Sequence, residues 1–107
     1  MKFLKKDDVV FQDLGLGVSR KILVHNDELM MVEVHFEKGA VGSVHSHPHQ
    51  QMSYILSGLF AFENDGETRT VGQGDSLLFS SGVEHGVVCL QEGTVLDIFT
   101  PTRKDFL

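Results

Sequence analysis

The chain has 107 residues, of which 41% are hydrophobic, and this length suits one compact domain with a core but not two. Its formal net charge at pH 7 is −6, with acidic residues scattered along the chain and no basic stripe to neutralise phosphates or anionic lipids. We therefore expect a single domain over residues 1–107, with neither a nucleic acid nor a membrane as partner.

The start of the chain and its cysteine content bear on where the protein works. Residues 1–8 contain three lysines but no apolar run long enough for a signal peptide, and no later stretch approaches a membrane span. Cys89 is the only cysteine, so it has no partner for an internal disulfide, and we expect it to be a small buried hydrophobe. These features predict a cytoplasmic protein.

Hairpin patterns dominate the first two thirds of the chain. Residues 20–37 form two apolar segments around a turn at Asn26 and Asp27, and the second segment alternates between two faces. Asp65 and Gly66 predict a tight hairpin turn, because these residue types accept the positive φ angles that such a turn requires.

Further turns are predicted by glycines. Residues 92–93, Glu-Gly, predict a turn between two apolar segments. Other glycines recur at strand-sized intervals and leave no room for an amphipathic helix of about twelve residues; these are Gly39, Gly58, Gly74 and Gly82. About nine short strands follow from this pattern, which favours an all-β sandwich or barrel that closes its own edges.

The histidine spacing is the strongest chemical signal. His45 and His47 lie two apart, so in a strand both side chains point to the same face. Gln51 follows across a segment long enough to turn or bulge, and His85 would arrive from a distant strand. We predict that these four residues bind one divalent metal ion inside the barrel. The alternative is a metal-free site that uses its histidines as acid and base.

Three further histidines are not assigned to this site. His25 and His35 are expected at the surface. His49 is expected to be a solvated loop residue, with support of the neighbouring metal ligands as the alternative.

The C-terminal strand carries an acid whose orientation the pattern leaves open. Val95, Asp97 and Phe99 share one face, so Asp97 faces either solvent or the interior. In the interior, burial would raise its pKa and a nearby cation would lower it, a balance that suits a proton shuttle. Arg103 could then guard the mouth and pair with an anionic substrate, whereas an outward Asp97 would leave Arg103 free in solvent.

These residues fall into a recognisable frame of fixed spacings. The first part reads Gly39, five residues, His45, one, His47, three, Gln51, six, Gly58; the second reads Gly74, five, Ser80, one, Gly82, two, His85, three, Cys89. The two parts resemble the two motifs of the cupin family, which implies a double-stranded β-helix, or jelly-roll, barrel. Ser80 and Cys89 stand where the family usually has Pro and Asn, neither of them a ligand position.

Gln51 stands where cupins usually carry a glutamate ligand. A site of three histidines and one glutamine keeps the full charge of a divalent ion, so we expect it to favour oxyanions. Imidazole and amide donors suit Zn, Ni, Fe, Mn or Co about equally, and the sequence does not choose among them.

Three segments look like one group of small cupins, the KdgF family of pectin-degradation proteins: MVEVHFEKGAVGSVHSHPHQQ, VEHGVV and FTPTRKDFL. That resemblance implies conversion of 4,5-unsaturated monouronates, released by pectate or alginate lyases, into linear 5-keto-4-deoxyuronates. It also implies the metal ligands named above, with Asp97 and Arg103 as catalytic residues and Phe99 and Arg103 as substrate contacts. By analogy with cupins, we expect a homodimer.

Two other functions remain open at this level. A small cupin dioxygenase would use the same ion to activate dioxygen, and oxygen consumption would identify it. A non-enzymatic sugar-acid-binding cupin would need a partner domain to act as a regulator, and 107 residues contain no helix-turn-helix.

Overall fold

The computed structural model describes all 107 residues, and most of them lie in strands. The eight strands, in chain order, are β1 Gln12–Gly15, β2 Val18–His25, β3 Met30–Phe36, β4 Val41–His45, β5 Gln50–Asn64, β6 Glu67–Gly72, β7 Ser76–Phe79 and β8 His85–Thr100. The helical elements are two 3-10 turns of three residues each, Lys6–Asp8 and Lys104–Phe106. No helix has the length and apolar character needed to cross a bilayer. The predicted all-β jelly-roll class is confirmed.

Two long strands tie the fold together. β5 and β8 pair antiparallel along most of their length. The second half of β8 also pairs with β3, and its first half pairs with β4. Pairing therefore divides the fold into two layers, β1-β2-β3-β8-β5-β7 and β4-β8-β5-β6, which share the two long strands. This arrangement closes a small interior between the layers.

The turn predicted at residues 92–93 is wrong, because β8 runs straight through it. Gly93 instead marks the place where β8 presses against β5: a Cβ atom there would lie 2.1 Å from the carbonyl oxygen of Ser57. Gly58 lies at the same crossing, inside β5, with φ at +87°. Both glycines serve close backbone approach instead of ending strands, and so eight strands form, two of them long, where nine short ones were expected.

The two predicted hairpins are confirmed. Asp65 and Gly66 adopt φ angles of 49° and 80°, as in a tight turn with two positive φ angles, and they join β5 to β6. Between β2 and β3, the side-chain oxygen of Asn26 accepts hydrogen bonds from the backbone N–H groups of Glu28 and Leu29. That bond pattern supplies the local closure that the Asn-Asp sequence predicts.

The interior is filled mostly by large apolar side chains from both layers. The main cluster comprises Phe36, Ala40, Ile55, Phe60, Phe62, Val71, Phe79, Cys89 and Val95. Cys89 is buried there, as predicted for a small hydrophobe. A second cluster of Met30, Val32 and Phe99 lies along β3 and β8, and the ring of Phe99 lies 5.8 Å from that of His47.

Candidate metal centre

Three histidines and a glutamine converge where the barrel interior opens: His47, Gln51 and His85 are buried, and His45 is exposed. His45 ends β4 and is the register partner of His85, which begins β8. Their rings lie 4.6 Å apart, and the ring of His47 lies 4.9 Å from that of His85. The expectation that one strand presents both His45 and His47 is wrong in detail, because β4 ends at His45 and His47 belongs to the following loop. The rings of His45 and His47 nonetheless lie 5.5 Å apart.

Backbone carbonyls fix the orientation of all three rings. Each Nδ1 lies within hydrogen-bond distance of a carbonyl oxygen two residues away: His45 to Ser43 at 2.8 Å, His47 to His49 at 3.0 Å, and His85 to Val83 at 3.0 Å. Because a carbonyl only accepts, each Nδ1 carries the proton and each Nε2 presents its lone pair. This is the arrangement that orients histidine ligands in metalloproteins.

The donor set fits a divalent metal ion. The ligand nitrogens of His45, His47 and His85 lie within 4.8 Å of one another. Nε2 of His85 is buried and has no hydrogen-bond partner in the protein, which leaves a lone pair aimed at the common centre. Burial also lowers the pKa of His47 and of His85, and this favours the neutral form that binds metals.

Gln51 completes the cluster as an oxygen donor. Its side-chain Oε1 lies 3.1 Å from Nε2 of His47, a separation at which both atoms can reach one ion at about 2.0–2.2 Å. Its Nε2 donates to Oγ of Ser53 at 3.0 Å and to Oδ1 of Asp97 at 3.3 Å. These two acceptors hold the amide so that its oxygen, and not its nitrogen, faces the histidines.

Asp97 faces inward, which settles the alternative that the sequence left open. It is the register partner of Ser53 on β5, whose hydroxyl donates a hydrogen bond of 2.6 Å to Oδ1 of Asp97. Burial raises the pKa of Asp97 to about 6, against the lowering effects of hydrogen bonds from Ser53 and Gln51 and of the charge on Arg103. A carboxyl group with such a pKa can both accept and donate a proton near neutral pH.

Sequence reasoning missed Ser53. It lies two residues after Gln51 in β5, on the same inward face, and it is almost completely buried. The alternation of β5 could have placed it there, but a lone serine in an apolar run carries no chemical signal of its own.

A cavity of about 160 Å³ opens onto the cluster; its walls are mostly apolar and include Arg103. Arg103 is not free: its guanidinium makes two hydrogen bonds to the carboxylate of Asp105, at 3.0 and 2.8 Å, and only 12% of the side chain is exposed. It also lies over the rings of Phe99 and Phe106, at 5.1 and 4.2 Å from their centroids. Phe99 lines the cavity beside the ring of His47.

The other three histidines stay outside the cluster. His35 lies on the outer face, part-buried between Glu92 and Thr94, and His25 is part-buried against the backbone of its own strand. His49 departs from the expected solvated loop position, because its Nδ1 is buried without a hydrogen-bond partner.

Comparisons with known proteins agree with this architecture. Residues 32–99 match the Cupin domain family. The chain is 44% identical to the pectin degradation protein KdgF of Dickeya dadantii (strain 3937), over 99% of this chain and 98% of that protein. The solved structure of KdgF from a Halomonas species superposes with a TM-score of 0.95 and 38% identity, over 100% of this chain and 99% of that one. The structure of an RmlC-like cupin from Shewanella frigidimarina superposes with a TM-score of 0.96 and 39% sequence identity, over 100% of this chain and 96% of that one.

Proposed function

The chain belongs to the cupin family, with a KdgF pectin-degradation protein among its full-length relatives, and from that premise we propose that it opens 4,5-unsaturated monouronates to linear 5-keto-4-deoxyuronates. The observation that carries the proposal is the direct link between a candidate ligand cluster and a part-buried acid: Gln51 faces His47 with its oxygen and Asp97 with its nitrogen. Ring opening and tautomerisation need an oxyanion-stabilising centre and a proton carrier within reach of one another.

His45, His47, His85 and Gln51 would hold one divalent ion, of Zn, Ni, Fe, Mn or Co. The ion would supply concentrated positive charge that stabilises oxyanions, an effect worth several kcal/mol in a water-poor site. Since all four donors are neutral, none of that charge is cancelled by the protein ligands.

Asp97 would carry the protons of the reaction. As a carboxylate it removes the proton from the anomeric hydroxyl, the C1–O5 bond breaks, and an aldehyde forms at C1. The electron pair of that bond stays on the ring oxygen, which leaves an enolate at C5 beside the substrate carboxylate. Asp97 then returns its proton to C4, and C5 becomes the ketone. One carboxyl group whose pKa burial raises above its usual range can serve both steps.

Two further side chains would position the sugar. Arg103 lines the cavity, where its charge would attract the substrate carboxylate. Phe99 forms part of the cavity wall and would keep water from one face of the ring.

The test is to incubate the metal-loaded protein with unsaturated monouronate and follow the loss of the enol-ether ultraviolet absorbance against the spontaneous rate. We expect acceleration with no oxygen uptake, and the linear keto acid as the product by NMR. An unchanged rate would contradict the proposal, and stoichiometric oxygen consumption would identify a dioxygenase instead.

We also propose that the protein forms a homodimer through the outer face of its larger layer. Met31, Ile98, Met52 and Leu78 are register partners across four strands and point away from the interior. Met52 and Leu78 are 56% and 57% exposed. An extended apolar row of this kind is unusual on a monomer, and a second copy related by a two-fold axis would cover both rows at once.

Light scattering coupled to size exclusion tests this proposal. Met52→Glu should shift the mass from dimer to monomer without loss of the fold. Equal masses for wild type and variant would contradict the proposed interface.

A further inference from the structure

A second arginine lies at the same cavity, contributed by the opposite end of the chain. Arg20 is in β2, and its register partner is Val34, whose neighbours Val32 and Phe36 are buried. Strand alternation therefore turns Arg20 to the inner face, where it lines the cavity that also contains Asp97. Lys21, the next residue, lies on the outer face against the ring of Phe11.

One aromatic ring holds both arginines. The guanidinium carbon of Arg20 lies 3.9 Å from the centroid of Phe106, and that of Arg103 lies 4.2 Å from the same centroid. Stacking on a ring fixes the plane of a guanidinium group and so reduces the entropy lost when it binds a ligand. Phe106 of the C-terminal 3-10 turn thus helps to position two cations that line the same cavity.

The two arginines differ in how far their charges are already satisfied. Both hydrogen bonds from Arg103 to Asp105 are in place, so a carboxylate of the protein already occupies one side of that guanidinium. Arg20 forms no ion pair, and its Nε donates a hydrogen bond of 3.3 Å to the neutral amide oxygen of Gln12. Burial and then the nearby charge of Arg103 lower the pKa of Arg20 by more than the charge of Asp105 raises it, in keeping with the absence of an ion pair at this guanidinium.

We propose that Arg20 is a second carboxylate-binding residue of this cavity and makes the site select a sugar acid over the neutral sugar of the same shape. An anion beside Arg20 relieves the repulsion between the two guanidinium groups and gains hydrogen bonds from a planar donor that is already oriented. The choice of a uronate as the anion rests on the function proposed above, whereas carboxylate binding at Arg20 does not.

Binding to an unreactive sugar acid tests this inference without turnover. Calorimetry would compare D-galacturonate with D-galactose on the metal-loaded wild type, Arg20→Gln, Arg20→Lys and the matched control Lys21→Gln. We expect Arg20→Gln to weaken galacturonate binding about 10- to 100-fold, the range for a charged hydrogen bond, and to leave galactose affinity unchanged. Arg20→Lys should recover part of the loss, and Lys21→Gln should behave as wild type.

Steady-state kinetics on unsaturated monouronate give a second readout. Arg20→Gln should raise KM by a similar factor with kcat within about threefold of wild type, since Arg20 binds the substrate and moves no proton. A merely structural role would instead lower the melting temperature and change both sugars' affinities together, and this result would overturn the inference. So would equal losses in Arg20→Gln and Lys21→Gln, or no saturable galacturonate binding by wild type together with an unchanged KM.

The two proposals fail separately. Arg20-dependent galacturonate binding without any acceleration of ring opening would overturn the proposed function and leave the carboxylate subsite standing. Normal turnover with a KM that does not depend on Arg20 would support the proposed function and overturn the carboxylate subsite.

Discussion

The side-chain amide of Gln51 donates a hydrogen bond to Oδ1 of Asp97 across 3.3 Å, which joins a candidate metal ligand directly to the candidate proton carrier. The pair separates two roles that mutation can test independently. One residue would hold the ion, and the other would move the proton.

Asp97→Asn should keep the metal and lose turnover. The amide is isosteric and its oxygen still accepts from Gln51 and Ser53, but it has no basic carboxylate, so kcat should fall at least about 100-fold. Metal content by mass spectrometry should stay at the wild-type value. Glu33→Gln, which removes a carboxylate from the outer face of the adjacent strand β3, is the matched control. Full activity of Asp97→Asn would refute the acid/base assignment.

Gln51→Glu should keep the metal and reduce turnover. A glutamate at this position offers no N–H to Asp97 and sets a second negative charge beside it, while cancelling part of the charge of the bound ion. We expect kcat to fall by about tenfold or more, measured with the ultraviolet assay at matched metal occupancy. Activity equal to wild type would show that the neutral amide has no role in the reaction.

Ser53→Ala should impair turnover without impairing metal binding. The hydroxyl of Ser53 donates to Oδ1 of Asp97 and accepts from Gln51, so its loss removes the shorter of the two hydrogen bonds to that oxygen and leaves the carboxylate less well oriented. A loss of about 3- to 10-fold in kcat is expected. Ser57→Ala on the same strand, whose hydroxyl accepts from the backbone of Thr94, serves as the control. Equal effects from both would point to stability alone.

His47→Ala should lose both metal and turnover. One of three imidazoles converging within 4.8 Å disappears, and the remaining ligands bind an ion more weakly. Metal content after dialysis should drop well below one ion per chain. His35→Ala removes a histidine from the outer face and should retain the metal; equal metal loss in the two variants would contradict the assigned cluster.

Gly93→Ala should destabilise the fold severely. The added Cβ would lie 2.1 Å from the carbonyl oxygen of Ser57 and 2.6 Å from Cα of Gly58. Both are backbone atoms, so a side-chain rotation cannot relieve the clash. We expect a loss of more than about 4 kcal/mol in urea unfolding, or failure to fold. Gly72→Ala, where the new Cβ would meet its nearest neighbour at 3.6 Å, is the control and should cost about 1 kcal/mol or less. A well-folded Gly93→Ala would show that β5 and β8 can separate at this point.

The candidate ligands were predictable from the sequence because metal binding constrains residue type and spacing together. His45 and His47 stand two apart, Gln51 follows at a fixed interval, and His85 lies in a second glycine frame. The orientation of Asp97 was not predictable, because alternation assigns a residue to one of two faces without saying which face is inside. The pairing of β8 with β5 sets the orientation of Asp97, because it places Asp97 opposite the inward-facing Ser53.

Gly93 and Arg20 also have roles that the sequence alone does not predict. A glycine between two apolar segments is typical of a turn, yet here it permits two long strands to touch, and only their pairing distinguishes the two cases. Arg20 lies 83 positions from Arg103 in the chain, and nothing local relates them until both stack on Phe106.

The sequence by itself determined the all-β class, the hairpins at residues 26–27 and 65–66, and the set of candidate ligands, since these depend on residue type and on spacing along one strand or turn. Tertiary structure alone decided which face of β8 is inside, that β8 passes Gly93 unbroken, and that two arginines share one cavity. Those features are set by pairing between segments far apart in the chain. Such contacts stabilise the protein only after the two layers have packed together.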